Sequence, residues 1–173
     1  MIGKLLFAAA LLVPGVASAR DVAELECLRG ASTEGDRKAF FDATMAQDQA
    51  GIQAMGNKVQ GRTQGCIQRY NWTPAVQIAA GAYVGLTMLL DYSRSELAKR
   101  DGIIAKLDAA VASMPAGIRA QIEGNNQTQD ALGWLRATTL GAGLTDGPGA
   151  QRGLAYLVSG LQRKKRLEDW KAL

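Results

Sequence analysis

Histidine is absent from all 173 residues. That removes Ser-His-Asp and Cys-His catalysis, His-ligated haem and the usual zinc enzymes, each of which needs an imidazole. Cysteine occurs only at Cys27 and Cys66. Two thiolates without histidine cannot complete a soft-metal site within one chain. A calcium or magnesium site built from carboxylates stays open, but no D-x-[DN]-x-[DN]-G loop is present. Aromatic residues are 6% of the chain, and β-branched residues are also sparse. That composition weighs against a sheet. G-x-G-x-x-G and the P-loop pattern are both missing. No cofactor is expected.

Residues 1–19 carry the three parts of a secretory signal peptide in order. Lys4 is the positive start, and Leu5 to Val13 is the apolar segment. Pro14-Gly15 breaks the helix, and Ala17-Ser18-Ala19 is the small-x-small cleavage site. The apolar segment is too short for a bilayer span, which needs ~20 residues. No cysteine follows Ala19 to accept a lipid. The expected mature chain is 20–173, one exported domain, with the bacterial periplasm as its destination. In an oxidising compartment Cys27 and Cys66 should form a disulfide that stabilises by ~3–4 kcal/mol. A redox pair would instead call for C-x-x-C, which is absent.

Gly and Ala are frequent, so helices packed through small side chains are expected. The fold class is all-α, a compact bundle of about five to seven helices. Residues 21–29 form a short amphipathic helix, and Asp36 begins a second. Gly51, Gly56, Gly61 and Gly65 punctuate 48–65. Each costs a helix about 1 kcal/mol relative to Ala, so an irregular or frayed stretch is expected there. Its glutamines are read as a solvated face.

Thr73-Pro74 is the clearest helix start, an N-cap followed by a residue with no amide to leave unpaired. The helix over 73–99 is apolar on nearly every face and is expected to be the central buried one. Its apolar stretch 75–90 is shorter than a ~20-residue span and contains Gln77 and Thr87. Gly81-x-x-x-Gly85 is read as a place where a neighbouring helix approaches closely. Further helices are expected over 101–114, after Pro115, over 129–140 and from 150 to the end. The glycine-rich loop 141–149 follows a helix and lacks Lys-Ser/Thr, so a helix cap and turn explain it better than a phosphate site.

The net charge is +4. Residues 20–151 hold thirteen Lys and Arg against fourteen Asp and Glu, whereas 152–173 hold six against two. Most of the excess is Arg163-Lys164-Lys165-Arg166. Leu154, Leu157, Val158 and Leu161 form one stripe that Lys165 interrupts, while Tyr156, Leu167 and Trp170 lie on the opposite side. The tail 163–173 therefore either projects from the body or makes a separate contact through Leu167 and Trp170. Cations at a helix C-terminus need no partner, because the macrodipole favours them. A docking role would use Arg163, Lys164, Lys165, Arg166 and Trp170 on an anionic membrane surface or an acidic protein. Nucleic acid is not expected in an exported setting.

The chemistry that survives is carboxylate chemistry. A cell-wall glycan hydrolase needs two acids and no histidine. Glu24, Glu26, Asp91, Glu96 and Glu123 are its candidates, with Asp91 the most interesting because it ends an apolar run. No residue is assigned a catalytic role. The favoured expectation is a disulfide-braced helical protein that inhibits, escorts or stabilises an envelope or periplasmic partner by binding it.

Overall fold

The computed structural model describes residues 20–126 and 128–173. The expected signal peptide lies outside them. Among the described residues there are eight α-helices and no strand. They are α1 (Ala23–Glu26), α2 (Glu34–Met45), α3 (Gln49–Tyr70), α4 (Pro74–Leu97), α5 (Ile103–Ala112), α6 (Ala116–Glu123), α7 (Gln129–Gly141) and α8 (Gly147–Lys171). A single 3-10 turn, Arg29–Ala31, follows α1.

Caps set most boundaries. The Thr33 hydroxyl accepts from the Asp36 amide, and the Asp36 carboxylate accepts from the Thr33 amide, a reciprocal capping box. The second helix therefore starts at Glu34, two residues before the expected Asp36. Thr73 caps α4 and Pro74 opens it, as anticipated. Asp146 caps α8 by accepting from the Gly149 amide, at 2.8 Å.

Two expectations are corrected. The stretch 48–65 is no irregular segment but part of the continuous 22-residue helix α3. Asp48 caps it by accepting from the Gly51 amide. Tertiary ties offset the glycine cost: Lys58 and Arg62 both bond Asp36 of α2, and Cys66 is bonded to Cys27 with a Cα–Cα separation of 5.9 Å. Helix α4 is not buried on nearly every face. Val76, Ala80, Val84, Met88, Ser93 and Leu97 are buried, while Ile78 remains 75% exposed. By length and composition alone α4 is long and apolar enough to cross a membrane, because it runs on past 75–90 to Leu97.

Helix α8 packs along α4 more extensively than any other pair of elements. It joins two clusters of buried side chains. One, around Leu97, Leu107, Leu144 and Leu157, lies among the C-terminal end of α4 and α5–α8. The other, around Val59, Val76, Ala80, Val84 and Met88, takes in Leu25, Trp72 and Trp170. The change of apolar stripe seen along α8 is this hand-over. Leu157 and Leu161 serve the first cluster, and Trp170, on the opposite side of the helix, serves the second.

Candidate functional site

An apolar groove of about 500 Å³ lies between α3 and α4. The α3 wall is Ile52, Met55, Gly56, Val59, Thr63 and Ile67. These recur three and four residues apart, so they lie on one face of the helix. The α4 wall is Pro74, Gln77, Ile78, Gly81, Val84 and Gly85. Trp72, in the connection between the helices, borders one end. Phe40 of α2 and Met88 of α4 border the cavity as well. No charged side chain lines it.

Helices α3 and α4 share few close contacts despite being joined by only residues 71–73. The glycines explain part of the open space. A Cβ placed on Gly56 or Gly81 would meet nothing within 4 Å, and one on Gly85 would meet only the Phe40 ring. Of Gly81-x-x-x-Gly85, Gly85 lies against the Phe40 ring of the neighbouring helix α2, while Gly81 forms part of the open groove wall. The close approach expected from the sequence is therefore found at Gly85 and not at Gly81. The sequence reading missed the i, i+3, i+4 stripe through 52–67, because the glycines and glutamines there interrupt its apolar residues.

Gln60 adds an exposed side chain to the α3 wall, while two other polar groups of the groove are bonded to the backbone. The Thr63 hydroxyl donates to the Gln60 carbonyl at 3.0 Å. The Gln77 amide donates to the Trp72 carbonyl, also at 3.0 Å. Near the Trp72 end, Tyr70 stacks on Trp72 with ring centroids 6.1 Å apart. The Arg69 guanidinium lies 5.5 Å from the Tyr70 ring centre.

The candidate carboxylates go to several places. Glu24 accepts from the Trp72 indole at 2.7 Å and pairs with Arg20 at 2.6 Å. Glu96 pairs with Lys99 and, at 3.8 Å, with Arg152; the Lys99 bond holds its carboxyl below the usual range. Glu123 lies 3.9 Å from Arg119. Glu26 and Asp91 line one polar pocket of about 390 Å³ with Arg37, Thr87 and Arg163. Nothing in the sequence places Glu26 and Asp91 in one pocket, because α1 and α4 are far apart in the chain.

One buried acid escaped the sequence reading. Asp36 is 3% exposed and is bonded by Lys58 at 2.5 Å, by the Thr33 amide and by Arg62. Lys58, then that amide, then Arg62 hold its carboxyl far below the ordinary carboxylate range. It is a tie between α2 and α3. Among the described residues no group of three or more Cys, Asp or Glu is placed to hold a metal ion.

The basic cluster of α8 is divided. Lys164 and Arg166 are exposed, and Arg163 and Lys165 are half-buried. Asp169 pairs with Lys165 and, at 3.5 Å, with Arg166. Arg163 lies 5.9 Å from the Tyr83 ring centre. Trp170 does not face outward: it is 1% exposed. Its ring meets Trp72 edge-on at 5.4 Å, its N–H donates to the Asp21 carbonyl at 3.2 Å, and Arg20 sits over it. Of the two arrangements expected for the tail, the separate contact through Leu167 and Trp170 is the one found. Trp170 is engaged inside the fold and is no surface anchor.

Comparison with known proteins finds no family model, no curated relative and no solved structure that matches the chain.

Proposed function

We propose that this protein is exported to the bacterial periplasm and acts there by binding, without catalysis, taking an apolar part of an envelope partner into the α3–α4 groove. The observation that carries the reading is the groove itself: about 500 Å³, within the ~300–1,000 Å³ usual for ligand sites, with no charged side chain on its walls. Export is supported by the signal-like pattern of 1–19 and is compatible with the Cys27–Cys66 bond.

The test is a titration with 8-anilinonaphthalene-1-sulfonate, which fluoresces in apolar sites. Saturable binding that is lost in Gly81→Leu supports the groove as the site. No binding, or binding that the folded variant leaves unchanged, overturns it. Cell fractionation tests the destination: the protein should leave with the periplasmic fraction, shortened by 1–19.

Glycan hydrolysis is the second reading, favoured by the placing of Glu26 and Asp91 in one polar pocket. It requires turnover of peptidoglycan that Asp91→Asn abolishes. Docking on a membrane through Lys164 and Arg166 is the third. It requires binding to anionic vesicles that weakens when Arg163, Lys164, Lys165 and Arg166 are neutralised.

A further inference from the structure

We propose that the polar pocket beside α1 is a second binding site, and that it takes a short zwitterionic peptide of about two residues, carboxylate on Arg163 and ammonium on Asp91. Four elements bring charge to it: Glu26 ends α1, Arg37 is on α2, Asp91 on α4 and Arg163 on α8. The pocket holds about 390 Å³, within the ~300–1,000 Å³ usual for small ligands.

The state of these charges is the first reason. Elsewhere the fold uses such groups as ties: Asp36 pairs with Lys58 and Arg62, Glu96 with Lys99, and Asp146 with Arg100. No ion pair of the described residues includes Arg37, Asp91 or Arg163. Arg37 gives one N–H to the Ser32 carbonyl, at 3.5 Å. Arg163 lies 5.9 Å from the Tyr83 ring centre. These side chains are brought to one pocket and left without a direct counter-ion.

The mixture of signs selects the ligand. An apolar occupant would take water from the charges and return no partner. A simple anion meets Glu26 and Asp91, and a simple cation meets Arg37 and Arg163. A ligand with one charge of each sign satisfies both. A sugar would need an aromatic face to stack on. Tyr83 is the one aromatic residue of the lining, and Arg163 already sits against its ring.

Spacing sets the length. Tyr83, Thr87 and Asp91 all line the pocket and recur four residues apart, so they share one face of α4. Asp91 is eight residues beyond Tyr83, ~12 Å along the axis at 1.5 Å per residue. Arg163 marks the Tyr83 end. An extended dipeptide reaches ~7 Å, and a charge-assisted hydrogen bond of ~2.8 Å at each end completes the distance. One amino acid falls short. Leu25, Leu28, Val84 and Met88, all buried, give the pocket an apolar floor for side chains.

The experiment titrates the full chain, by calorimetry, with Ala-Ala, Ala-Leu, Leu-Ala and Leu-Leu. At least one should bind, one molecule per chain. Acetylating its amine or amidating its carboxylate should each weaken it about tenfold or more, because a charged hydrogen bond is lost. Free leucine should be weaker by a similar factor. Arg163→Gln should weaken the free dipeptide about tenfold and leave the amidated one unchanged. Asp91→Asn should weaken the free dipeptide and leave the acetylated one unchanged. Folding of both variants is checked by far-ultraviolet circular dichroism, and the blocked peptides read the same contacts on the unaltered protein.

Absence of saturable binding by all four dipeptides overturns the proposal, as does binding that is unchanged when either end is blocked. Binding of a chitin oligosaccharide in place of the dipeptides overturns it in favour of glycan. Displacement of the naphthalene probe by a dipeptide would put the peptide in the α3–α4 groove and overturn the second site. The groove reading itself stands or falls on that probe, whatever the dipeptides do.

Discussion

Helix α4 passes from one kind of core into another. At its C-terminal end Leu97 joins Leu107, Leu144 and Leu157, side chains buried to 1% exposure or less. At its N-terminal end Val76, Ala80 and Val84 are buried, but Ala80 and Val84 also border the groove with the exposed Ile78 and Gly81. Glycine marks the contrast. In the C-terminal region Gly153 of α8 lies against Leu144 and Thr139, where a Cβ would come within 2.5 Å of a Leu144 methyl. In the N-terminal region a Cβ added at Gly56 or Gly81 would meet nothing within 4 Å. Gly153 lets two helices come together, whereas Gly56 and Gly81 leave space beside them.

The largest expected effect tests what holds the open region together. Trp170 reaches from α8 to Trp72 and the Asp21 carbonyl. Trp170→Ala should cost ~3–5 kcal/mol in denaturant unfolding. Hydrogen-exchange protection should fall first in α1 and α3. An equal loss in α5–α7 would mean that the two regions unfold as one unit and would break the comparison. Close behind is the Cys27–Cys66 bond, which ties the segment after α1 to α3. Cys27→Ser with Cys66→Ser should remove ~3–4 kcal/mol. Thiol titration of the denatured, unreduced protein should find none, and two after reduction.

The contrast was only partly legible in the sequence. Thr73-Pro74 and the helical periodicity of 101–122 are local signals, and local physics produced what they announced; the cysteine pair, 39 residues apart, was read from its count and expected compartment. The change of stripe along α8 was also visible, because Leu161 and Trp170 cannot share a face at 100° per residue. What stayed hidden was the partner of each face. Helix α3 appeared weak because propensity counts glycines singly, while Asp36 and the disulfide anchor it from elsewhere in the chain. Ile78 looked like a core residue because nothing in the sequence of α4 says which of its apolar faces α8 will cover. The groove follows from that choice, so it was not legible. Glu26 and Asp91 were each visible, and their common pocket was not.

Titration separates the regions in opposite directions. Asp36 belongs to the N-terminal region, and its carboxyl is held far below the ordinary value of 3.8 by Lys58 first. A depressed folded pKa contributes stability above the unfolded value and loses it as pH falls. The α2–α3 tie should therefore weaken below about pH 4, and Asp36→Asn should flatten that part of the stability profile. Tyr156 belongs to the C-terminal region. Burial first, then its 2.7 Å bond to Asp108, pushes its hydroxyl up from 10.0 to about 12. A raised folded pKa contributes stability below the unfolded value and loses it as pH rises through the folded one. The α8–α5 contact should weaken between pH 10 and about 12. Absorbance at 295 nm should show one late tyrosine, missing in Tyr156→Phe. Acid sensitivity that Asp36→Asn leaves intact would detach this asymmetry from the residues named.

The smallest effect is the most direct test of what the glycines are for. Gly153→Ala should destabilise by ~1–3 kcal/mol, because the new methyl has to displace Leu144 and the Thr139 methyl from a filled interface. Gly81→Ala should stabilise by up to ~1 kcal/mol, because the helix gains propensity and the methyl enters open space. The two substitutions are chemically identical, so opposite signs in thermal unfolding would isolate the packing on each side. Opposite signs would also show that Gly81 lowers stability where it stands. If Gly81→Ala instead destabilised, α4 would be closer to a neighbour than the groove allows, and the open region would be a second closed core.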